Sequence, residues 1–496
     1  MASVGEIPQL FWPLVTSVEK VAVAVELFEG RSALQVLYRL LQDAVREFPD
    51  VFGNCPLTAN EKAFRTDYPN FLPNFEAARL ASPARIAIAR SMVAGLGEQV
   101  VWQGSAGVRL LSELLSGLSQ PLTLETRQFG GSVGWQPNLV YHGERWTPKR
   151  FSELGAKLVE LGTATQEAGD ALGWVSRELL ATGQLDLAGR KIAVLGGGAE
   201  MAPTKFWLEA GADVLWLDTV PPPSEWFEDS DLSGSLSWST EPADLLTKPN
   251  EIFATLLTFA GGHPLDVGLY AYAPGQAREL RLTSVMNAIV TALPRDLVSS
   301  VTMLVSPTTP TGLSTRDVRV IDERLENRPA WQSVAHRVGA FGRGSSTAQV
   351  DGSHASKSVV GIQGASYQAA QYLGKTLTAE VWSQAGIEDG SWSMRVSANT
   401  AAITRTRSLA HPVFAAAFGG AAAFGVETLT PRQSRRLNGL LVVHDWMQPE
   451  HPVPGKVRLH GGIHTLPYPL EPALRLAAAI GFARSPRLLR GLLTRH

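Results

Sequence analysis

Lys191-Ile-Ala-Val-Leu-Gly-Gly-Gly-Ala-Glu-Met-Ala-Pro-Thr-Lys-Phe-Trp-Leu-Glu-Ala-Gly-Ala-Asp-Val-Leu-Trp-Leu-Asp218 decides the fold of this chain. Ile192 to Leu195 is an apolar run long enough for one buried strand, and Gly196, Gly197 and Gly198 follow at once. A helical pattern then carries Phe206, Leu208 and Ala210 to Gly211, a residue suited to stopping a helix. Val214 to Leu217 is a second apolar run, closed by Asp218. The order is strand, glycine turn, helix, strand, acid.

That order has a physical reading. Glycines lack a Cβ and let the backbone approach a pyrophosphate, whose charge the amides of a helix N-terminus can meet. An acid about 20 residues further on can hydrogen-bond a ribose. Gly196 and Gly198 fit the first two glycines of this pattern; Met201 takes the third place and Ala202 follows it. The expected cofactor contacts are therefore Gly196, Gly198, Ala199, Glu200 and Met201, with Asp218 on the ribose. A carboxylate there favours NAD, because it repels the 2′-phosphate of NADP, although NADP stays open. Two other readings fit the same residues: a related sheet binding S-adenosylmethionine, and a glycine turn with no ligand.

Composition narrows the classes. The chain has 496 residues, more than one ordinary core accommodates, so two or three units are expected. An apolar share of 45% against 18% charged residues suits a folded globular protein. The formal net charge of −2 gives no global attraction to nucleic acid, and no nucleic-acid partner is expected. Cys55 is the one cysteine, which excludes an internal disulfide or a cysteine zinc cluster and points to a reducing, cytoplasmic setting. Glu6 and Pro8 break the first apolar stretch, so no secretory leader is expected, and no apolar run is long enough to span a membrane.

Outward from the glycine turn, strands alternate with helices. Leu236–Ser239, Asp266–Ala273, Val301–Ser306 and Ser393–Ala398 read as further strands, with helices over Glu251–Thr258, Glu279–Leu293 and Ser366–Trp382. This rhythm predicts an α/β fold, a doubly wound parallel sheet of Rossmann type over 186–408. An insertion at about 307–358, rich in Pro, Gly and Ser, carries one helix near Asp317–Leu325 and is placed over the carboxyl edge of the sheet, where inserted loops often act as lids. Residues 1–185 read as a mainly helical N-terminal region, with a loop-rich passage at Asn54–Asn74 marked by Pro56, Pro69 and Pro73. Residues 409–496 read as a mainly helical C-terminal extension.

The positions of Asp218, Asp244, Asn287, Ser306 and Tyr367 on this framework resemble those of the short-chain dehydrogenase/reductase superfamily. Met394-Arg-Val-Ser-Ala-Asn399 is similar to the family's sixth strand. The resemblance implies an NAD(P)-dependent oxidoreductase. Tyr367, Ser306 and Asn287 would be its catalytic set, Asp218 and Asp244 would line the adenosine side, and Thr404 would lie near the nicotinamide amide. Departures mark a divergent member. The family's lysine four residues after the tyrosine is Gln371 here, and Lys375, eight residues on, is not expected to serve the same purpose. Tyr272-Ala-Pro-Gly275 replaces the usual Asn-Ala-Gly. A neutral amide at 371 supplies no charge to lower the phenol's pKa, so Tyr367 either donates a hydrogen bond without titrating, uses another cation, or reduces no carbonyl.

The C-terminal extension holds His444-Asp445, read on a strand whose neighbours face opposite sides, and His460-Gly-Gly-Ile-His464, whose glycines argue against a metal-binding helix. No metal is expected. Arg405 and Arg407 could reach a phosphate or a carboxylate. The tail 474–496 alternates Arg484, Arg487, Arg490 and Arg495 with leucines, the composition of a helix that docks on the chain or lies on an anionic membrane. Membrane contact would suit a lipophilic substrate. A non-catalytic nucleotide-binding scaffold is the further alternative.

Overall fold

The computed structural model describes the chain outside residues 1–22, 106, 118, 132–134, 183–185, 274, 276, 343–344, 390–394, 401–403, 405, 407–410, 449–456 and 489–496, and outside the side chains of 182, 386, 387, 389 and 395–400. Arg405, Arg407 and the end of the basic tail lie outside the described residues.

The centre is a seven-stranded sheet. Its strands are β1 (Leu124–Gln128), β2 (Lys191–Leu195), β3 (Asp213–Leu217), β4 (Ser235–Ser239), β5 (Leu265–Leu269), β6 (Val298–Val305) and β7 (Arg395–Thr400). Their order is β7-β6-β5-β2-β3-β4-β1. All neighbours run parallel except β1, which pairs antiparallel with β4 at the edge. Counted from β2, the parallel strands stand 3-2-1-4-5-6, the doubly wound Rossmann-like order, with the direction of winding reversing between β2 and β5.

Alternation along the strands divides the core. Ala193, Leu195, Leu215, Leu217, Val267, Met303 and Val305 face one side. Ile192, Val194, Val214, Trp216, Leu236 and Leu304 face the other. Ile192 to Leu195 are fully buried, and each aliphatic chain so placed contributes roughly 1.5–3 kcal/mol.

The first face is covered by N-terminal helices α1 (Ala33–Glu47), α2 (Glu61–Ala81) and α3 (Arg85–Glu98). Between the strands follow α4 (Phe151–Glu160), α5 (Gln166–Thr182), α6 (Thr204–Glu209), α7 (Pro249–Ala260) and α8 (Arg278–Ala292). Beyond β6 lie α9 (Thr315–Glu326), α10 (Ala330–Arg337) and α11. The last is one continuous helix made of Ala365–Gln371, a π-helical stretch Tyr372–Leu377 and Thr378–Asp389. The chain ends with α12 (Pro412–Gly420), α13 (Pro431–Met447) and α14 (Leu470–Arg484). Helices α7, α8 and α11 share the first face with the N-terminal helices; α4, α5, α6 and α13 cover the second.

Three local expectations change. The passage expected to be loop-rich holds α2, which runs through Pro69 and Pro73. Asn60 caps it, and Phe64, Tyr68, Phe71, Leu72 and Phe75 form one buried stripe whose packing outweighs the two prolines. His444-Asp445 lies on a helix, because Thr430 and Gln433 form a capping box with Pro431 at the first helical position. The insertion carries two helices, α9 and α10, and a small antiparallel sheet of Gly312–Leu313, Thr347–Val350 and Ser353–Ser356. Among the described residues no helix is long and apolar enough to cross a membrane. In the described part of the tail, Leu474 and Leu488 pack against Ala416, Ala417 and Ala478.

Candidate active site at the carboxyl edge of the sheet

The chain leaves β2 through Gly196, whose φ is +87°. A Cβ there would lie 2.3 Å from the backbone nitrogen of Ala271, so only glycine lets the exits of β2 and β5 touch. Gly197 and Gly198 rest against the Trp216 indole, and Gly198 is exposed. The Gly198 amide donates to Asp218 Oδ2 at 2.9 Å. Asp218 Oδ1 accepts from the amides of Thr219 at 2.7 Å and Val220 at 3.3 Å. The acid at the end of β3 thus stands beside the turn at the end of β2. Helix α6 begins only at Thr204, whose hydroxyl donates to the Gly197 carbonyl at 3.0 Å. Pro203 delays it, since a proline disfavours helical backbone in the residue before it. The turn is consequently longer, and the helix shorter, than the sequence pattern suggested. Ala199 and Met201 pack on the second core, and the Glu200 carbonyl accepts from Arg435 Nη1 of α13 at 2.9 Å. The Asp244 carboxylate accepts from the Leu246 amide at 2.9 Å, and the neighbouring Ala243 amide donates to the Asp218 carbonyl, also at 2.9 Å. Asp218 and Asp244 therefore share the β3–β4 end of the edge.

The second half of the edge lies beyond β5 and β6. Ser306 directly follows β6, and Tyr367 stands near the start of α11, close enough that the Ser306 hydroxyl lowers the proton affinity of the phenol. Ser306 Oγ is also 2.8 Å from Thr308 Oγ1, which donates to Gln363 at 2.6 Å. The Ser306 amide donates to Gln371 Oε1 and Gln371 Nε2 donates to Glu279 Oε1, each at 2.9 Å. Lys375 Nζ donates to the Leu304 carbonyl at 3.0 Å. Glu279, Gln371, Lys375 and Ser306 are all buried. Asn287 does not join the Tyr367–Ser306 pair: its side-chain amide donates to the Gly374 carbonyl at 2.6 Å, supporting the π-helical stretch.

The electrostatics follow from burial. Burial, reinforced by the Glu279 carboxylate, drives the Tyr367 phenol well above its ordinary range, against a smaller lowering by the Ser306 hydroxyl. Burial lifts Glu279 to about 7, opposed by Lys375 and by Gln371. Burial lowers Lys375, and Glu279 opposes that shift.

Thr404 is buried with its hydroxyl 2.5 Å from that of Ser434, which ties this segment to α13. His460 and His464 stack with centroids 5.3 Å apart. Both are held neutral by burial, His464 at about 4, and His464 Nε2 lies 3.1 Å from the Pro307 carbonyl. Among the described residues no group of three or more His, Cys, Asp or Glu could hold a metal. Asp445 is paired with Arg458 through contacts to both carboxylate oxygens.

The structure thus brings Gly196, Gly198 and Asp218 together at one place, and Ser306 and Tyr367 at another along the same edge. Sequence reasoning passed over Glu279, and it noticed Gln371 and Lys375 only as departures. An acid in the first turn of that helix, followed by the apolar positions Leu280, Leu282, Val285 and Met286, was the available signal for Glu279. Nothing in the spacing announces the π-helical stretch that turns Lys375 inward.

No protein-family model matches this chain, and no curated protein matches it. Among solved structures it is similar to a short-chain type dehydrogenase/reductase from Mycobacterium marinum, with 13% identity and a TM-score of 0.34, over 56% of this chain and 96% of that one. A likeness this distant assigns no family.

Proposed function

We propose that this chain is an NAD(P)-dependent oxidoreductase acting on a carbonyl, an alcohol or an activated alkene. The observation that supports this best is the Tyr367–Ser306 pair at the carboxyl edge of a sheet with the 3-2-1-4-5-6 order, where such folds bind ligands. The fit to a dinucleotide rests on the exposed Gly198, the cramped Gly196 and a carboxylate 2.9 Å from a turn amide. In this reading the turn of Gly196, Gly198, Ala199, Glu200 and Met201 would border the phosphates, with the amides of Gly196, Gly198 and Ala199 already donating to the Leu217 carbonyl, the Asp218 carboxylate and the Gly196 carbonyl. Asp218 would take the ribose and Asp244 would border the adenine. Thr404, bonded to Ser434, is left out of this set. When bound, the nicotinamide supplies or accepts the hydride.

The chain's own residues would do the rest. Tyr367 stays protonated and donates a hydrogen bond to the substrate oxygen, and Ser306 orients that phenol. A donor aimed at the oxygen where charge develops lowers the barrier without itself titrating. The substrate would be lipophilic if the 474–496 segment contacts membranes.

Trp216 beneath the turn is a built-in reporter. NADH should quench its fluorescence and raise the melting temperature, and NADH should bind more tightly than NADPH. No response to either nucleotide removes the proposal. The high pKa of Tyr367 also favours a second reading, a nucleotide-binding scaffold without turnover. It predicts the same quenching and no hydride transfer to any carbonyl tested.

A further inference from the structure

Helix α10 is turned the wrong way for a helix lying on a core. Its deeply buried side chain is polar: Gln332 Nε2 donates to the Ala423 carbonyl at 2.8 Å, and Gln332 Oε1 accepts from the Tyr468 hydroxyl at 3.3 Å. Its outward side chains are apolar. Trp331 is 40% exposed, Val334 58% and Val338, at the C-terminal cap, 75%. Steps of three and seven residues set these three within about 60° of one another around the helix axis. A surface helix ordinarily presents such a stripe to the interior. Here turning the stripe inward would break both bonds of Gln332, so the chain's own hydrogen bonds hold it in water. The Trp331 ring meets Phe424 edge-on at 5.4 Å between centroids, which anchors one side of the indole and leaves the rest open. The stretch through α10 carries charge of one sign. Between Glu326 and Asp351 the sequence holds Arg328, His336, Arg337 and Arg343 and no acid. His336 and Arg337 are exposed on α10 itself. Arg328, just before it, donates to Ser333 Oγ at 3.1 Å and to the Leu325 carbonyl at 3.0 Å.

We propose that α10 docks on an anionic lipid surface, with Trp331, Val334 and Val338 entering the interfacial layer and Arg337 meeting the headgroups. Apolar side chains leave water there, a tryptophan has a ring for the acyl side and an N–H for the headgroup side, and a basic flank is drawn to negative lipid. A second copy of this chain suits the stripe less well. A face-to-face contact would set His336 and Arg337 against the same cations of the copy, with no acid on the helix to answer them. The basic tail is a poorer candidate for the same surface, because in its described part Leu474 and Leu488 are already packed against Ala416, Ala417 and Ala478. Nothing in this docking face depends on the oxidoreductase reading.

Co-sedimentation of the full chain with vesicles tests this. We expect binding to vesicles of phosphatidylserine and phosphatidylcholine in equal parts, and far less to phosphatidylcholine alone. Raising salt from about 0.1 M to about 1 M, which shortens the screening length from roughly 10 Å to roughly 3 Å, should weaken it. Arg337→Gln should lower the affinity about 5-fold, and Val334→Asp combined with Val338→Asp about 10-fold or more. These three side chains are exposed, so the melting temperature should not move. Lipids brominated along the acyl chain should quench part of the tryptophan fluorescence, and Trp331→Phe should remove that part while binding persists. The proposal is overturned if the mixed vesicles carry down no protein, if phosphatidylcholine alone binds as well, or if the double substitution leaves binding unchanged. Self-association without lipid that the double substitution abolishes would give the stripe to a second copy and overturn it too. Titration of the same variants with NADH judges the oxidoreductase reading separately, since either can fail with the other intact.

Discussion

At the β2–β3 half of the carboxyl edge, the polar groups are backbone amides and one carboxylate, Asp218, joined through residues close in sequence. At the β5–β6 half they are side chains from three segments, the buried Glu279, Ser306, Gln371 and Lys375 with the half-buried Tyr367. The first half is a seat of backbone amides around a carboxylate, whose tolerances are steric. The second is a charged cluster in a poorly solvated place, where small displacements change proton affinities. One half is suited to holding a ligand by shape, the other to altering a bond by field.

The sharpest separation of the two halves is functional. Tyr367→Phe should lower turnover by about 10²–10⁴-fold, the range over which a positioned proton donor acts, while NADH affinity stays unchanged. Steady-state kinetics beside a fluorescence titration would show it, and an equal loss of affinity would erase the distinction.

The seat should fail sterically. Gly196→Ala places a Cβ 2.3 Å from backbone at a φ of +87° and should cost about 3 kcal/mol or more in urea unfolding. Gly198→Ala meets only the Trp216 ring and the Asp218 carboxylate at 3.0 Å or more and should cost about 1 kcal/mol or less. Similar costs at both positions would contradict the packing described for the turn.

The buried cluster should show itself in the pH dependence of stability. Glu279 has a folded value of about 7 against an ordinary 4.5, so protonation favours the fold. That contribution is complete below 4.5 and is lost as pH rises to about 7, by up to about 3 kcal/mol. His464 has the opposite sign: at about 4 against 6.5, its contribution is complete above 6.5 and is lost as pH falls to about 4. His460 adds to the histidine side. In wild-type protein the two slopes oppose each other. Glu279→Gln should therefore steepen the loss of stability in acid, and His464→Gln should soften it. Parallel urea curves across this range check both.

The smallest effect belongs to Asp218. Asp218→Ala should weaken NADH binding about 10-fold and narrow the preference over NADPH. A larger loss would mean that the bond to the Gly198 amide supports the turn itself.

The first half of the edge was legible because its logic is local. Apolar runs, three glycines and an acid placed Gly196, Gly198 and Asp218 at one turn, and the alternation of strands and helices gave the Rossmann-like sheet. Helix α2 was misread because proline punctuation was weighed above an aromatic stripe that only its packing partners make decisive. The strand expected at His444 gave way to a helix started by the four-residue capping box from Thr430 to Gln433.

What the residues alone determined is the set of elements and the glycine–acid turn, since these depend on backbone freedom and on periods of two and 3.6 residues. What only the tertiary structure decided is the company kept by Tyr367. Glu279, Ser306 and Lys375 meet because three crossovers end at one strand edge and a helix takes up one extra residue. Their proton affinities depend on the water that this packing excludes, which no spacing along the chain encodes.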